Sequence, residues 1–245
     1  MKPTPEHSAS IRQLYLEGSG LVGPLETDAL QRSRVFIKTM EQFIYSSETS
    51  DVTALTAKAQ TLSDEARDEF WQWHYPVHWQ DIFGVRIRSA FCAQLCSLIE
   101  AVLGDIARRI EVIDQCVIAL KQLNAPTTLG KYKLYLEAFG KFTGPSPEAW
   151  KNMGFLFRIR NAHIHEQGYA GDLSSSKGEA FRVFLAGLPG VNTHSDFIEL
   201  RADSCLALLD ITERFHHDLL REFEAYRQRA LIMERLSTAP TTRPA

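Results

Sequence analysis

A long stretch of regular hydrophobic spacing constrains the fold of this chain more than any other feature. Between residues 78 and 110 the apolar side chains recur every three or four positions: Ile87, Phe91, Leu95, Leu98, Val102 and Ile106. This spacing is that of one face of an α-helix, and so long an apolar face has to be covered by other helices. The sequence therefore predicts an all-α protein built around a helix over residues 78–110.

Other helices are predicted from similar spacing and from residues that cap or break helices. We expect helices over residues 10–17, 28–46, 51–62, 112–123, 128–139, 148–167 and 203–235. Residues 181–185 and 197–200 are the candidates for one short strand pair. The predicted organisation is an N-terminal helical extension (1–76), a helical domain (77–235) and a disordered tail (236–245).

Charge and cysteine content exclude several classes of protein. The chain has 245 residues and a formal net charge of −3, so it is not a protein that coats nucleic acid through a uniformly basic surface. Four cysteines are too few for a disulfide scaffold and are expected to be buried thiols. Residues 1–6 lack a signal-peptide core and no run of 18 apolar residues follows, so we expect a cytoplasmic protein without a membrane span.

The densest chemistry of the sequence lies in residues 160–168, which read RNAHIHEQG. This segment places an arginine, a carboxamide and two histidines within about two helical turns, before a glycine that should end the helix. Arginine can neutralise a phosphate and histidine titrates near neutral pH. Together these side chains can cleave RNA without a metal ion.

Helical projection separates the polar residues of this helix into two groups. Arg158, Asn161 and His165 form one narrow polar stripe, and Gly154 on the same stripe leaves room for a close approach. The rest of the circumference is largely apolar, so we expect a mostly buried helix whose stripe faces a cleft or an interface.

Arg160 and His163 project among the apolar positions of the same helix. A buried guanidinium needs an acidic partner, and Glu100, in the middle of the long apolar helix, is the candidate for Arg160. His163 is typical of a hydrogen-bonded core histidine. His163 and His165 are two residues apart and point in different directions, which argues against a metal site.

The order of residues in this segment resembles the signature of the HEPN superfamily. That order is arginine, a polar residue, three further residues and then histidine, near the end of a helix in an all-α domain. Arg160, Asn161 and His165 match that signature directly, and Gly168 after the motif is similar to several uncharacterised branches. The run from Arg88 to Glu100 also resembles the helix that these branches place against the motif helix. The resemblance covers roughly residues 80–225, of which only the nine motif residues are specific.

The resemblance implies a metal-independent endoribonuclease of a toxin or defence type, without a cofactor. It implies a homodimer in which two motif helices line a cleft, with RNA as the substrate and an antitoxin or regulatory protein as a further partner. Arg160, Asn161 and His165 would be catalytic, and Arg158, His163 and Glu100 would bind phosphate or support the site. HEPN toxins silenced by nucleotide transfer carry a tyrosine two residues after the histidine, where this chain has Gln167.

Other interpretations of the same residues stay open at this point. The chain could be a non-catalytic HEPN-like module that binds RNA or a protein, or a purely structural helical dimer. The motif itself could be a helix end at which histidines interact favourably with the helix dipole. The loose arginine–histidine spacing recurs between Arg67 and His74, and the aromatic stretch 71–79 could stack bases or fill a corner between helices.

Overall fold

The computed structural model describes residues 5–17, 24–116 and 118–238, and it confirms the all-α class. The α-helices are α1 (Pro5–Glu17), α2 (Pro24–Ala59), α3 (Asp64–His74), α4 (Val85–Ile113), α5 (Thr128–Ala138), α6 (Pro147–His165), α7 (Glu179–Ala186) and α8 (Ala202–Thr238). A π-helical turn (His78–Gly84) leads into α4, and a short 3-10 turn (Leu120–Gln122) precedes α5. The strands β1 (Val191–His194) and β2 (Phe197–Leu200) form one antiparallel pair.

The helix α2 is continuous where the sequence analysis predicted two helices, over 28–46 and 51–62. The prediction took Ser50 or Asp51 as the cap of the second helix. In the structure the threonine hydroxyls instead donate to the backbone carbonyls one turn earlier, from Thr49 to Tyr45, Thr53 to Thr49 and Thr56 to Val52, at 2.7–2.8 Å. This bonding inside the helix lets a polar stretch remain helical without a break.

Two further helix predictions need correction. Residues 112–123 do not form a helix of their own, because α4 ends at Ile113 and only the 3-10 turn follows. The predicted tail begins too early, since α8 extends to Thr238; residues 239–245 lie outside the described part of the chain. The break at Tyr75-Pro76 is confirmed, and Ser63 caps α3 by accepting a hydrogen bond from the Ala66 amide at 3.4 Å.

The predicted strand pair exists, but its first member was assigned to the wrong segment. Residues 181–185 lie in the helix α7, and β2 pairs instead with β1, with Val191 opposite Leu200 and His194 opposite Phe197. Phe181 and Phe184 are three residues apart, so both reach the ring of Phe155, with centroid distances of 5.3 and 5.0 Å. This packing favours the helical spacing over the strand.

By contact, the chain divides into two compact units that interleave in sequence. Unit 1 comprises residues 1–29, 97–154 and 211–245, and unit 2 comprises residues 30–96 and 155–210. The predicted boundary between an N-terminal extension (1–76) and a main domain (77–235) stays a prediction. In unit 1 the ring of Trp150 meets that of Phe215 edge-on at 4.8 Å, and Arg227 donates to the carbonyl of Leu16 at 2.6 Å.

Unit 2 contains the motif half of α6, the strand pair and most of the aromatic stretch. Trp79 packs edge-on against Phe43 of α2 at 5.8 Å and donates from its indole nitrogen to Asp51 at 2.7 Å. Trp73 of α3 is 75% exposed, so the aromatic stretch has both packed and solvent-facing members.

The cysteines are free thiols, and Cys92, Cys96 and Cys205 are buried as predicted. A hydrogen bond with Cys96, together with burial, raises the pKa of the Cys92 thiol well above its ordinary value. Burial raises the pKa of Cys205 to about 12. The thiols of Cys92 and Cys205 therefore stay protonated and unreactive at neutral pH.

Among the described residues one helical stretch, Asp64–Ile113, contains an 18-residue window apolar enough by length and composition to cross a membrane, with a mean hydropathy of 1.5. The window contains polar residues between the apolar ones, so the sequence has no uninterrupted apolar run there although its average is high. Half of the window is buried inside the protein, as in the core helices of soluble proteins, which meet the same criterion.

Candidate functional site

The helix that carries the motif begins one residue before the predicted range of 148–167 and ends two residues before its predicted end, at His165. Ser146 accepts a hydrogen bond from the amide of Ala149 at 3.1 Å and so caps the start of α6. The helix ends at His165, and the backbone then turns through positive φ angles at Gln167 (52°) and Gly168 (95°). The carbonyl of Ala162 accepts from both Glu166 and Gly168, at 3.0 and 2.8 Å.

Gly168 is required at this turn for two reasons. Its φ of 95° is rarely adopted by a residue with a side chain. A Cβ atom there would also lie 3.1 Å from the carbonyl oxygen of Ile198. The backbone of Gly168 is that close to β2 because its own carbonyl accepts from the Ile198 amide at 2.8 Å.

The strand pair holds the chain that leaves the motif. Tyr169 forms an antiparallel bridge with Phe197, and the Ala170 amide donates to the carbonyl of Asp196 at 2.9 Å. The rings of Tyr169 and Phe197 contact each other at 5.5 Å while remaining 43% and 49% exposed. The position of the helix end is therefore fixed by a hairpin about thirty residues later, for which the motif gave no signal.

Asn161 and His165 are both exposed, one helical turn apart on α6. Arg160 is half-buried, and its Nη1 donates to Oδ1 of Asn161 at 2.9 Å. Its Nε is buried without a hydrogen-bond partner among the described residues. The helix end thus carries a guanidinium bonded to a carboxamide, with an imidazole one turn after the carboxamide, and hydrogen-bonding capacity of the guanidinium is left unused.

His163 lies on the other side of the helix end, half-buried beside Gly168. Burial lowers the pKa of this histidine below its ordinary value of 6.5, so its neutral form predominates at neutral pH. Its Nε2 atom is buried and has no hydrogen-bond partner within the described part of the chain. The histidine was expected to be hydrogen-bonded in the core, and the structure leaves this nitrogen without such a bond.

Arg158 is tied to the segment that follows the motif. Its Nη2 donates to the carbonyl of Ala170 at 2.8 Å, and its guanidinium carbon lies 4.2 Å above the ring centre of Phe181. Burial lowers the pKa of Arg158, although an arginine remains charged throughout the physiological range. The guanidinium of Arg158 therefore contacts the segment after the motif and α7, whereas that of Arg160 bonds to its neighbour Asn161.

Glu100, the candidate partner of Arg160, is half-buried and belongs to unit 1, whereas Arg160 belongs to unit 2. Their pairing stays a prediction. Among the described residues no group of three or more histidines, cysteines or carboxylates could hold a metal ion. The chemistry available at the helix end is that of arginine, amide and imidazole.

The best-defined charged cluster of unit 2 was not singled out by the sequence analysis. Arg88 of α4 is 2% exposed, and its Nε and Nη2 donate to the two carboxylate oxygens of Glu41 at 2.8 and 2.7 Å. It also donates to the carbonyl of Leu200 at 3.2 Å and to Gln80 at 3.0 Å. Burial lowers the pKa of Arg88, but the bond and charge of Glu41 outweigh it and the net shift is upward. Its partners are too distant in sequence for spacing to reveal them.

Comparison of the chain with protein-family models, with curated proteins and with solved structures finds no match.

Proposed function

We propose that this chain is a HEPN-like, metal-independent endoribonuclease whose catalytic residues are Arg160, Asn161 and His165. The observation that carries the proposal is the arrangement at the end of α6. The guanidinium of Arg160 is hydrogen-bonded to Asn161, and an exposed histidine, His165, follows Asn161 one helical turn further on. Phosphodiester cleavage needs a cation for the phosphate and a group that moves protons near neutral pH, and this helix end offers both.

In the proposed reaction the ribose 2′-hydroxyl attacks the adjacent phosphorus atom and gives its proton to an imidazole. The bond between phosphorus and the 5′-oxygen breaks, and that oxygen takes a proton from an imidazolium. The products are a 2′,3′-cyclic phosphate and a 5′-hydroxyl end. Arg160 stabilises the negative charge that builds on the phosphate oxygens, and Asn161 orients the guanidinium through its hydrogen bond.

Each helix end supplies one exposed histidine, whereas the reaction needs both a base and an acid. A homodimer that faces two copies of α6 across a cleft would supply two. Ile164, between the two histidines in sequence, is 48% exposed and could join such an interface. The free thiols fit a reducing compartment, so we place the enzyme in the cytoplasm, where an antitoxin or other regulatory protein would restrain it.

The test is cleavage of single-stranded RNA in the presence of EDTA by the wild-type protein, His165→Ala and His217→Ala. His217 is an exposed histidine on α8 and serves as a matched control for loss of a surface imidazole. We expect wild type and His217→Ala to cut with equal rates, and His165→Ala to lose about 10²-fold or more. Circular dichroism confirms that all three are folded. Equal cutting by His165→Ala would remove His165 from the mechanism.

The second candidate function is a module that binds RNA without cleaving it. The exposed rings of Tyr169 and Phe197, directly after the motif, favour this function because aromatic faces stack on unpaired bases. Binding of a labelled oligonucleotide that is weakened by Phe197→Ala, without cleavage under any condition tried, would identify a binding module instead of an enzyme.

A further inference from the structure

Unit 2 contains a cavity of about 530 Å³ that the residues of the motif do not line. One wall is α2, from which Lys38, Gln42 and Tyr45 face the cavity at intervals of about one helical turn. Another part of the lining is formed by Arg201, directly before α8, and by Leu206 in the first turns of that helix. A cavity of this size can hold a small organic molecule.

The floor of the cavity is formed by side chains that are hydrogen-bonded to one another, and the charge of Arg88 there is balanced by that of Glu41. Arg88 lies there with both carboxylate oxygens of Glu41 bonded to its guanidinium. Gln80, also part of the lining, accepts from Arg88 at 3.0 Å and donates to Glu48 at 2.7 Å. These groups shape the cavity, and the polar groups still available to a ligand lie nearer its rim.

Most of the charged groups available at the rim are cationic donors. Lys38 is exposed and forms no ion pair with any residue that the structure describes. Arg201 uses Nη2 to contact Glu199 at 2.5 Å, and its other nitrogens keep their donors. Asp203 is the one carboxylate of the lining besides the bonded Glu41, and Arg201 is paired with Glu199, so Lys38 is the cation of the lining that has no ion-pair partner among the described residues. A ligand that satisfies these donors has to bring negatively charged oxygen atoms.

The lining also contains apolar surface from the half-buried Leu206 and from the exposed ring of Tyr45. We infer that this cavity binds a small organic anion. Its carboxylate or phosphate head contacts Lys38 and Arg201, and its apolar body lies against Leu206 and the ring of Tyr45. This site is independent of the proposed nuclease, because it uses none of Arg160, Asn161 or His165.

The first experiment compares four probes with the same six-carbon chain and different heads: hexanoate, hexyl phosphate, 1-hexanol and hexylamine. Binding is measured by isothermal titration calorimetry and by chemical-shift changes of the full-length protein. We expect at least one of the two anions to bind with a Kd of about 1 mM, the order expected for a ligand of this size, and the alcohol and amine to bind at least about tenfold more weakly. The tighter of the two anions identifies the head group.

The second experiment tests the place of binding with Lys38→Met, and with Lys58→Met as the matched control. Both lysines are exposed on α2, but Lys58 does not line the cavity. Loss of one charge-assisted contact should weaken binding of the anion about tenfold in Lys38→Met and leave it unchanged in Lys58→Met. Three outcomes would overturn the inference: binding of 1-hexanol as tight as that of the anions, no binding of either anion at about 10 mM, or an equal loss of anion binding in both lysine variants.

Discussion

Arg88 and Arg160 belong to the same unit and lie on helices of similar apolar character, yet their surroundings differ completely. The guanidinium of Arg88 is 2% exposed and bonded to a carboxylate, an amide and a carbonyl. The guanidinium of Arg160 is half-buried and has one described hydrogen bond, to its neighbour Asn161. All three guanidinium nitrogens of Arg88 donate hydrogen bonds. Arg160, in contrast, has a nitrogen without a described partner and lies next to exposed residues.

The difference separates a structural arginine from a candidate functional one. A buried guanidinium without partners would cost several kcal/mol, so the saturation of Arg88 is a condition of folding. The buried Nε of Arg160 has no described partner, and the guanidinium lies at a helix end next to exposed residues, where an anionic substrate would need its donors. Substitutions at the two clusters should therefore affect different properties, stability at Arg88 and activity at Arg160.

The largest effect is expected from Glu41→Leu, which leaves the buried charge of Arg88 without its carboxylate. We expect the free energy of unfolding, measured by urea denaturation, to fall by about 3–5 kcal/mol. Glu69→Leu on the exposed face of α3 is the control and should change it by less than about 0.5 kcal/mol. The double variant Arg88→Met/Glu41→Leu should recover most of the loss. No recovery would mean that the cluster does not act as a pair.

Arg160→Gln should change activity far more than stability. The substitution removes the cation proposed to stabilise the phosphate, so kcat for RNA cleavage should fall about 10²–10³-fold. The free energy of unfolding should stay within about 1 kcal/mol of wild type, because the Nε atom that is lost has no described partner. A large loss of stability without a selective loss of kcat would make Arg160 a second structural arginine and remove the contrast with Arg88.

Replacement by alanine should change stability in opposite directions at two glycines, Gly154 on the polar stripe of α6 and Gly168 just after the helix. Gly168→Ala places a side chain at a φ of 95° and 3.1 Å from the Ile198 carbonyl, and should destabilise the protein by about 1–2 kcal/mol. Gly154→Ala lies inside α6 with no described atom within 4 Å of the added carbon, and should stabilise by about 0.5–1 kcal/mol. Thermal unfolding of both variants measures this difference, and equal effects would contradict the geometry of the turn.

The smallest expected effect is on the pH dependence of stability, and it concerns His163. Burial lowers the pKa of His163, so below pH 6.5 the unfolded chain binds a proton at this residue more readily than the folded one. The stability contributed by the neutral imidazole is therefore present above that pH and is lost as the pH falls. Unfolding free energies at about pH 7.5 and 5.5 should differ less in His163→Gln than in wild type. An unchanged difference would mean that burial does not perturb this group.

The sequence predicted those parts of the fold and site that depend on nearby residues. Helical spacing and the loop that ends at Ser146 predicted α6, and projection of α6 placed Asn161 and His165 on an exposed side. Arg158, which was projected onto the same stripe, is half-buried like Arg160 and His163. The sequence could not predict features that depend on distant residues. The bond from Arg88 to the Leu200 carbonyl joins positions 112 residues apart, and nothing in the local pattern indicates it.

The wrong predictions have the same origin. A cluster of serines and threonines can end a helix or bond within it, and the choice at residue 50 depended on hydroxyl geometry that the sequence leaves open. The segment at 181–185 is short and apolar, and contact with Phe155 rather than its own pattern made it helical. The family resemblance of the motif, the dimer and the RNA substrate stay proposals that the experiments above address.

The hydrogen bonds between residues 168–170 and the β1–β2 hairpin also bear on how the chain folds. They close a loop of about thirty residues, whereas the Arg88–Leu200 bond closes one of 112. Loop-closure entropy rises with loop length, so the helix end that carries the motif can form its supporting contacts before the ion-pair cluster assembles. On a nascent chain the motif would then reach its final geometry as soon as β2 is available, without waiting for the rest of α8.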